Sequence, residues 1–207
     1  VAARIQVDVQ LALRVDGMLC NVKVFRMRVK RGINALLGLI FCLLALFVAP
    51  AMAGGAMQNF VWHNKPVDVV DIEFRDGKEK PVKLSDFKDR IVLLNFWATW
   101  CAPCRREMPD LDSLQKKYGS KDFLVLALSQ DRKGLDAVKE FYAEIGVSNL
   151  ALYIDQKART GRKLRVPGLP TTILLSRTGQ EIGRLVGPAE WFSPEAQKII
   201  EKALAAK

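Results

Sequence analysis

Two thiols three positions apart, Cys101 and Cys104, are the residues of this chain best placed to do chemistry. They follow an apolar run, Ile91 to Trp97, that stops at Thr99-Trp100, and they open a polar–apolar pattern with helical spacing. The pair is therefore expected where a strand ends and a helix begins. A helix start carries unpaired N–H groups and the positive end of the helix dipole, so sulfur there is favoured as thiolate. The three-residue step lets both sulfurs close into one small ring. Reversible disulfide formation needs nothing more. A closed zinc site needs four ligands, and the one other candidate near the domain is the single histidine, His63. Covalent haem attachment needs His after the second cysteine, where Arg105 stands. An iron–sulfur cluster lacks its other thiolates. Copper(I) held by both thiolates stays chemically open.

The 207 residues suffice for one ordinary domain plus a targeting segment. A net charge of +10 raises nucleic acid as a partner. Residues 1–53 carry seven Lys/Arg against two Asp/Glu, and residues 54–207 carry 25 against 20. A basic leader thus explains half the excess. The remainder alternates in sign, with no basic stripe interleaved with aromatics, which argues against nucleic-acid binding. Met27 opens a short basic segment, Ile33 to Ala49 is almost wholly apolar, and Ala51-Met52-Ala53 is a small-x-small tripeptide. That is the layout of a secretory signal, with residues 1–26 read as upstream translation. A retained anchor is the alternative, because about 17 apolar residues can just span a bilayer. Either way the domain is expected outside the cytoplasm. Cys20 and Cys42 fall in this leader. The folded part then keeps one adjacent pair, a working couple rather than a structural framework.

Residues 54–66 read as a linker and 67–207 as the domain. Val67 to Phe74 and Pro81 to Leu84 flank Asp76-Gly77, a hairpin signal at the N-terminal side of the domain. Ile91 to Trp97 and Phe123 to Ser129 are continuous apolar runs, the mark of parallel strands buried on both faces. Between them Met108, Leu111, Leu114 and Tyr118 recur at helical spacing, and Gly119 ends that helix. A second helix is expected from about Leu135 to Ile145, capped by Gly146. Ala151 to Ile154 reads as a short strand, and Thr171 to Leu175 with Glu181 to Val186 as an antiparallel hairpin. Ser193-Pro194-Glu195 opens a last helix that turns Ile199, Ile200 and Leu204 inward. The fold class is α/β: a mixed sheet with helices on both faces and an N-terminal hairpin extension.

The stretch Phe96-Trp97-Ala98-Thr99-Trp100-Cys101-Ala102-Pro103-Cys104, with Pro109 beyond it and Leu169-Pro170-Thr171-Thr172 opening a strand, resembles the thioredoxin superfamily. Within it the chain is similar to the exported TlpA/ResA/DsbE-like thiol-disulfide oxidoreductases, over about residues 67–205. The resemblance implies a thioredoxin fold, dithiol exchange without a cofactor, and reductive tasks such as apocytochrome c maturation or cuproprotein assembly. It makes Cys101 the nucleophile and Cys104 the resolving thiol. It makes Leu169-Pro170 a cis-proline loop whose backbone a passing peptide pairs with, and Trp100 part of the apolar surface around Cys101. Pro103 stiffens the loop between the cysteines and, by resemblance, marks reducing members, where strong oxidants carry His. Thioredoxin's buried acid six residues before the first cysteine is replaced here by Asn95. Glu107, three after Cys104, matches a glutamate of the cytochrome-maturation relatives. It is read as a proton acceptor for Cys104, against the alternative of an exposed helix carboxylate. Arg105 and Arg106 read as a solvated helix face.

The expected activity is that of a periplasmic, monomeric reductant. Its partners are disulfide-bearing client proteins and a membrane thiol-electron donor, because an oxidising compartment gives it no other source of electrons. The alternatives are a disulfide oxidant or isomerase on the same fold, and a copper-binding chaperone.

Overall fold

The computed structural model describes residues 56–206, together with Arg14–Val15 and Met18–Leu19. The chain forms two compact units, Val1–Met52 and Ala53–Lys207. In the first, β1 (Arg14–Val15) pairs antiparallel with β2 (Met18–Leu19). The expected signal segment, with Cys20 and Cys42, lies outside the described residues. Among the described residues no helix is long and apolar enough to cross a membrane.

The second unit is built on an eight-stranded sheet. Its strands are β3 (Val61–Val67), β4 (Glu73–Asp76), β5 (Pro81–Lys83), β6 (Ile91–Trp97), β7 (Phe123–Ser129), β8 (Tyr153–Ile154), β9 (Thr171–Leu175) and β10 (Glu181–Val186). Their spatial order is β3-β10-β9-β6-β7-β8-β4-β5. The β6/β7 and β7/β8 pairs are parallel and the rest antiparallel. Four helices join them: α1 (Ala102–Tyr118), α2 (Leu135–Ile145), α3 (Arg159–Lys163) and α4 (Pro194–Ala205). This is the mixed α/β fold expected from the continuous apolar runs.

Every residue of β6 is buried, and its alternation divides the core in two. Ile91, Leu93 and Trp97 join Phe123, Val125 and Leu174 under α1, α2 and α4, which contribute Met108, Leu111, Phe141 and Ile200. Val92, Leu94 and Phe96 join Leu126, Leu128 and Ile173 on the other face, closed by Phe74, Leu84 and Leu164. A strand with core on both sides cannot slip by one residue without inverting both faces. That fixes where it ends, and hence where the cysteines begin.

Two readings are corrected. Residues 54–66 are not simply a linker: Ala56–Asn59 is a 3-10 turn, and Val61–Val67 is an edge strand on β10. It is mostly exposed, Val61 and Val67 included, and polar or proline at 63–66, so it lacks the apolar run that marks a buried strand. It is held by the ring of Phe60, which lies where a Cβ at Gly183 would be, and by His63, whose Nε2 is 2.7 Å from Glu181 Oε1. The expected strand from Val67 to Phe74 shrinks to Glu73–Asp76, which still pairs with Pro81–Lys83. In the last helix Ile200 is buried and Ile199 and Leu204 pack half-buried against the same core, as expected, with Ala196 and Ala203 buried beside them. The short α3 carried no sequence signal, since its residues are mostly cationic. Gly146 closes α2 in the left-handed conformation (φ 72°), as its type allows.

Leu94→Ala should destabilise the domain by about 2–5 kcal/mol in urea unfolding. Val67→Ala, on the exposed edge, should cost under about 0.5 kcal/mol. Equal losses would mean that the two-faced core is misassigned.

Candidate active site

The site is assembled where β6 leaves the sheet. Cys101 is the N-cap of α1, in extended conformation, and its Sγ accepts the N–H of Cys104 at 3.3 Å. Sulfur thus takes the place that a Ser or Asp oxygen usually fills, against one of the helix's unpaired donors. Cys101 and Cys104 form a disulfide, with Cα atoms 5.3 Å apart. Cys104 is fully buried and Cys101 is 6% exposed. Pro103 falls in the first helical turn, where its missing N–H costs nothing. Trp100, beside the sulfurs, is 69% exposed, an unusual position for an indole.

The loop that delivers Cys101 is tied to the neighbouring strand by a residue sequence reading did not single out. Asp131, just past β7, is buried and accepts the Thr99 N–H (2.8 Å), the Thr99 hydroxyl (2.7 Å) and the Ser129 hydroxyl (2.8 Å). The Gln130 N–H donates to the Trp97 carbonyl at 2.8 Å. An acid at the end of a buried strand was the available signal.

Glu107 lies on the same helix face as Cys104, one turn on. It is 3% exposed, which removes the reading of an exposed helix carboxylate. Its Oε1 accepts from Asn95 Nδ2 at 2.7 Å and its Oε2 from the Ala189 N–H at 3.2 Å. Asn95 Nδ2 also reaches Thr172 Oγ1 at 3.0 Å, across the β6/β9 register. Trp191 Nε1 contributes to the field at the carboxylate without closing a hydrogen bond of ordinary geometry. Burial raises the Glu107 pKa to about 7, and the Asn95 and Ala189 donors hold it from rising further. The partners from Thr172 and Ala189 come from distant parts of the chain and were not legible in the sequence.

Leu169-Pro170 is a cis peptide bond. The Pro170 carbonyl accepts the Gly187 N–H at 2.9 Å, and Thr171 pairs with Phe96. These contacts bring the proline loop to the same sheet end as the start of α1. Arg105 is not simply solvated: its guanidinium lies 4.4 Å from the Phe141 ring centroid and 3.1 Å from Glu144 Oε1, while Arg106 is exposed. No group of three or more His, Cys, Asp or Glu side chains that could hold a metal occurs among the described residues.

Comparison with known proteins agrees with this architecture. The pattern of the Redoxin family matches residues 52–200. The chain belongs to that family. Among curated redoxin relatives, the thiol-disulfide oxidoreductase ResA of Bacillus thuringiensis (strain Al Hakam) is 35% identical over 112 residues, 54% of this chain and 64% of the relative. The Bacillus subtilis (strain 168) ResA is 31% identical over 120 residues, 58% of this chain and 66% of the relative. The chain therefore spans a little under two thirds of those proteins. A solved structure of a DsbE-type thiol:disulfide interchange protein from Chlorobium tepidum is 34% identical, with a TM-score of 0.61, covering 69% of this chain and 99% of that one. A DsbF homologue from Corynebacterium diphtheriae is 25% identical with a TM-score of 0.55, covering 75% and 94%.

The raised Glu107 pKa makes a statement about stability. The folded protein binds this proton more tightly than the unfolded chain, so the group's contribution is fully present below pH 4.5 and is lost as pH rises through about 7. The loss should be on the order of 3 kcal/mol. Urea midpoints of the disulfide form between pH 4 and 8 should show this decline, and Glu107→Gln should flatten it.

Proposed function

We propose that this chain is an exported thiol-disulfide oxidoreductase that reduces protein disulfides through Cys101 and Cys104. The observation that supports this best is a closable sulfur pair at a helix N-cap, with a buried carboxylate of near-neutral pKa one turn behind it. The Cys101 thiolate attacks one sulfur of a client disulfide. A mixed disulfide forms and one client thiolate leaves. Cys104, giving its proton to Glu107, then attacks Cys101 Sγ. The Cys101–Cys104 bond forms, the second client thiolate leaves, and two electrons have moved to the client. A pKa near 7 suits Glu107 to this transfer, since an acceptor works best when poised close to ambient pH. Asn95 is its positioning residue, not a second acid.

The cis Leu169-Pro170 loop and exposed Trp100 serve as the surface on which the client backbone is laid as an added strand. Pro103 biases the couple toward reduction. The protein acts as a monomer, either tethered or freed by cleavage of its leader. It is recharged by a membrane thiol-electron donor, and its clients are of the apocytochrome c or cuproprotein kind.

Reduced protein should reduce insulin disulfides, and Cys101→Ser should abolish this. Cys104→Ser should accumulate mixed disulfides with clients, whose identification names them. Equilibration with glutathione should give a potential near or below about −200 mV; a value near about −120 mV would make the protein an oxidant instead. Glu107→Gln should slow the resolving step about 10- to 100-fold near pH 7 and remove its pH dependence there. An unchanged rate and profile would remove Glu107 from the mechanism.

A further inference from the structure

The domain's excess positive charge is not spread over its surface as the sequence alternation suggests. Residues 54–207 carry 25 cations and 20 anions, and the nine residues 157–165 (KARTGRKLR) carry five cations and no anion. Outside them the charges balance at 20 each. Lys157, Arg159, Arg162, Lys163 and Arg165 are all exposed, and none forms an ion pair among the described residues. Asp155, just before them, is buried and spent on the Thr160 N–H (2.7 Å) and hydroxyl (2.6 Å).

The fold places this segment at the catalytic end. Asp155 follows β8, and its N–H donates to the Ser129 carbonyl at 2.8 Å, so the segment starts beside the 130–133 loop. That loop adds two more exposed cations, Arg132 and Lys133, next to the Asp131 that holds Thr99. At its other end the segment runs directly into Val166 and the Leu169-Pro170 loop. It is held rigidly there. Arg184 donates to the Leu164 carbonyl (3.0 Å) and the Arg165 carbonyl (3.2 Å), while its other donors grip Glu181 at 2.8 Å. Five cations without ion-pair partners thus lie on the segment that leads into the cis-proline loop, with its Leu164–Arg165 end held by Arg184, and two more stand on the neighbouring 130–133 loop.

We propose that this basic face selects client proteins whose disulfide is flanked by acidic residues. The inference rests on the dithiol-exchange reading above, and it adds the chemistry of the client. Complementary charge at a groove mouth acts mainly on the encounter rate, and salt weakens it. An anionic lipid surface is the rival occupant. The position against the proline loop, where a client chain must lie, favours the acidic polypeptide.

The test uses two peptides with one internal disulfide, identical except that the Glu residues flanking it are Gln in the second. The full chain in its dithiol form should reduce the Glu peptide about 10-fold faster or more at low salt, with the ratio falling toward one at about 0.5 M salt. Combined Arg159→Gln, Lys163→Gln and Arg165→Gln should collapse the ratio at low salt. Arg162 is kept because its side chain donates to the Lys157 carbonyl. A matched variant with Lys116→Gln, Lys121→Gln and Lys198→Gln, around the far end of α1, should retain the ratio. Equal rates for both peptides at low salt, or a ratio that survives the first variant, would overturn the proposal. So would sedimentation with phosphatidylserine vesicles that the first variant abolishes, if the peptides show no preference. Anisotropy of a cysteine-free Glu peptide on the disulfide form separates the two readings. Binding that needs these cations, with neither peptide reduced, would sink the exchange mechanism and leave the charge selection standing.

Discussion

The structure depends on one short contact, the Cys104 N–H given to the sulfur of Cys101 at the head of α1. A helix cannot satisfy its first donors internally, and here sulfur is the acceptor supplied. An acceptor in that position gains most when it carries charge. The chain must therefore leave β6 at one place, turn within Ala98–Trp100, and present Cys101 as the cap. The two-faced burial of β6 fixes the exit. Asp131 fixes the turn.

Behind the sulfurs the protein tolerates a costly group. A carboxylate almost removed from water is expensive unless it is well supplied with donors. Glu107 has two hydrogen-bond donors, from Asn95 and Ala189, so it is held near the balance point between its two forms instead of being forced into either. The amide at Asn95 and the acid at Glu107 belong together: a second carboxylate in place of the amide would turn a donor into a repelling neighbour. In this chain the buried acid thus stands on the helix and the amide on the strand.

What could be read in the sequence followed from local physics. Continuous apolar runs gave β6 and β7, and residue types with special backbone preferences gave the caps at Gly146 and Ser193. The cysteine pair and Leu169-Pro170 were recognisable by spacing and context. What escaped depends on partners distant in sequence. Val61–Val67 is a strand because β10 offers it an edge, and its own residues carry no apolar alternation. Asp131 was not singled out because its partner, Thr99, lies 32 residues earlier. The burial of Glu107 is a property of Trp191 and Ala189 as much as of its own helix. Helix periodicity left its environment open between solvent and core.

The anchoring of Thr99 is separate from the sulfurs. Asp131 holds the approach to Cys101 from a different strand, through contacts that do not involve either sulfur. Breaking the sulfur–sulfur bond therefore leaves the restraints at Thr99 in place. The turn ahead of Cys101 is thus anchored to a strand other than its own, through Thr99, Ser129 and Asp131.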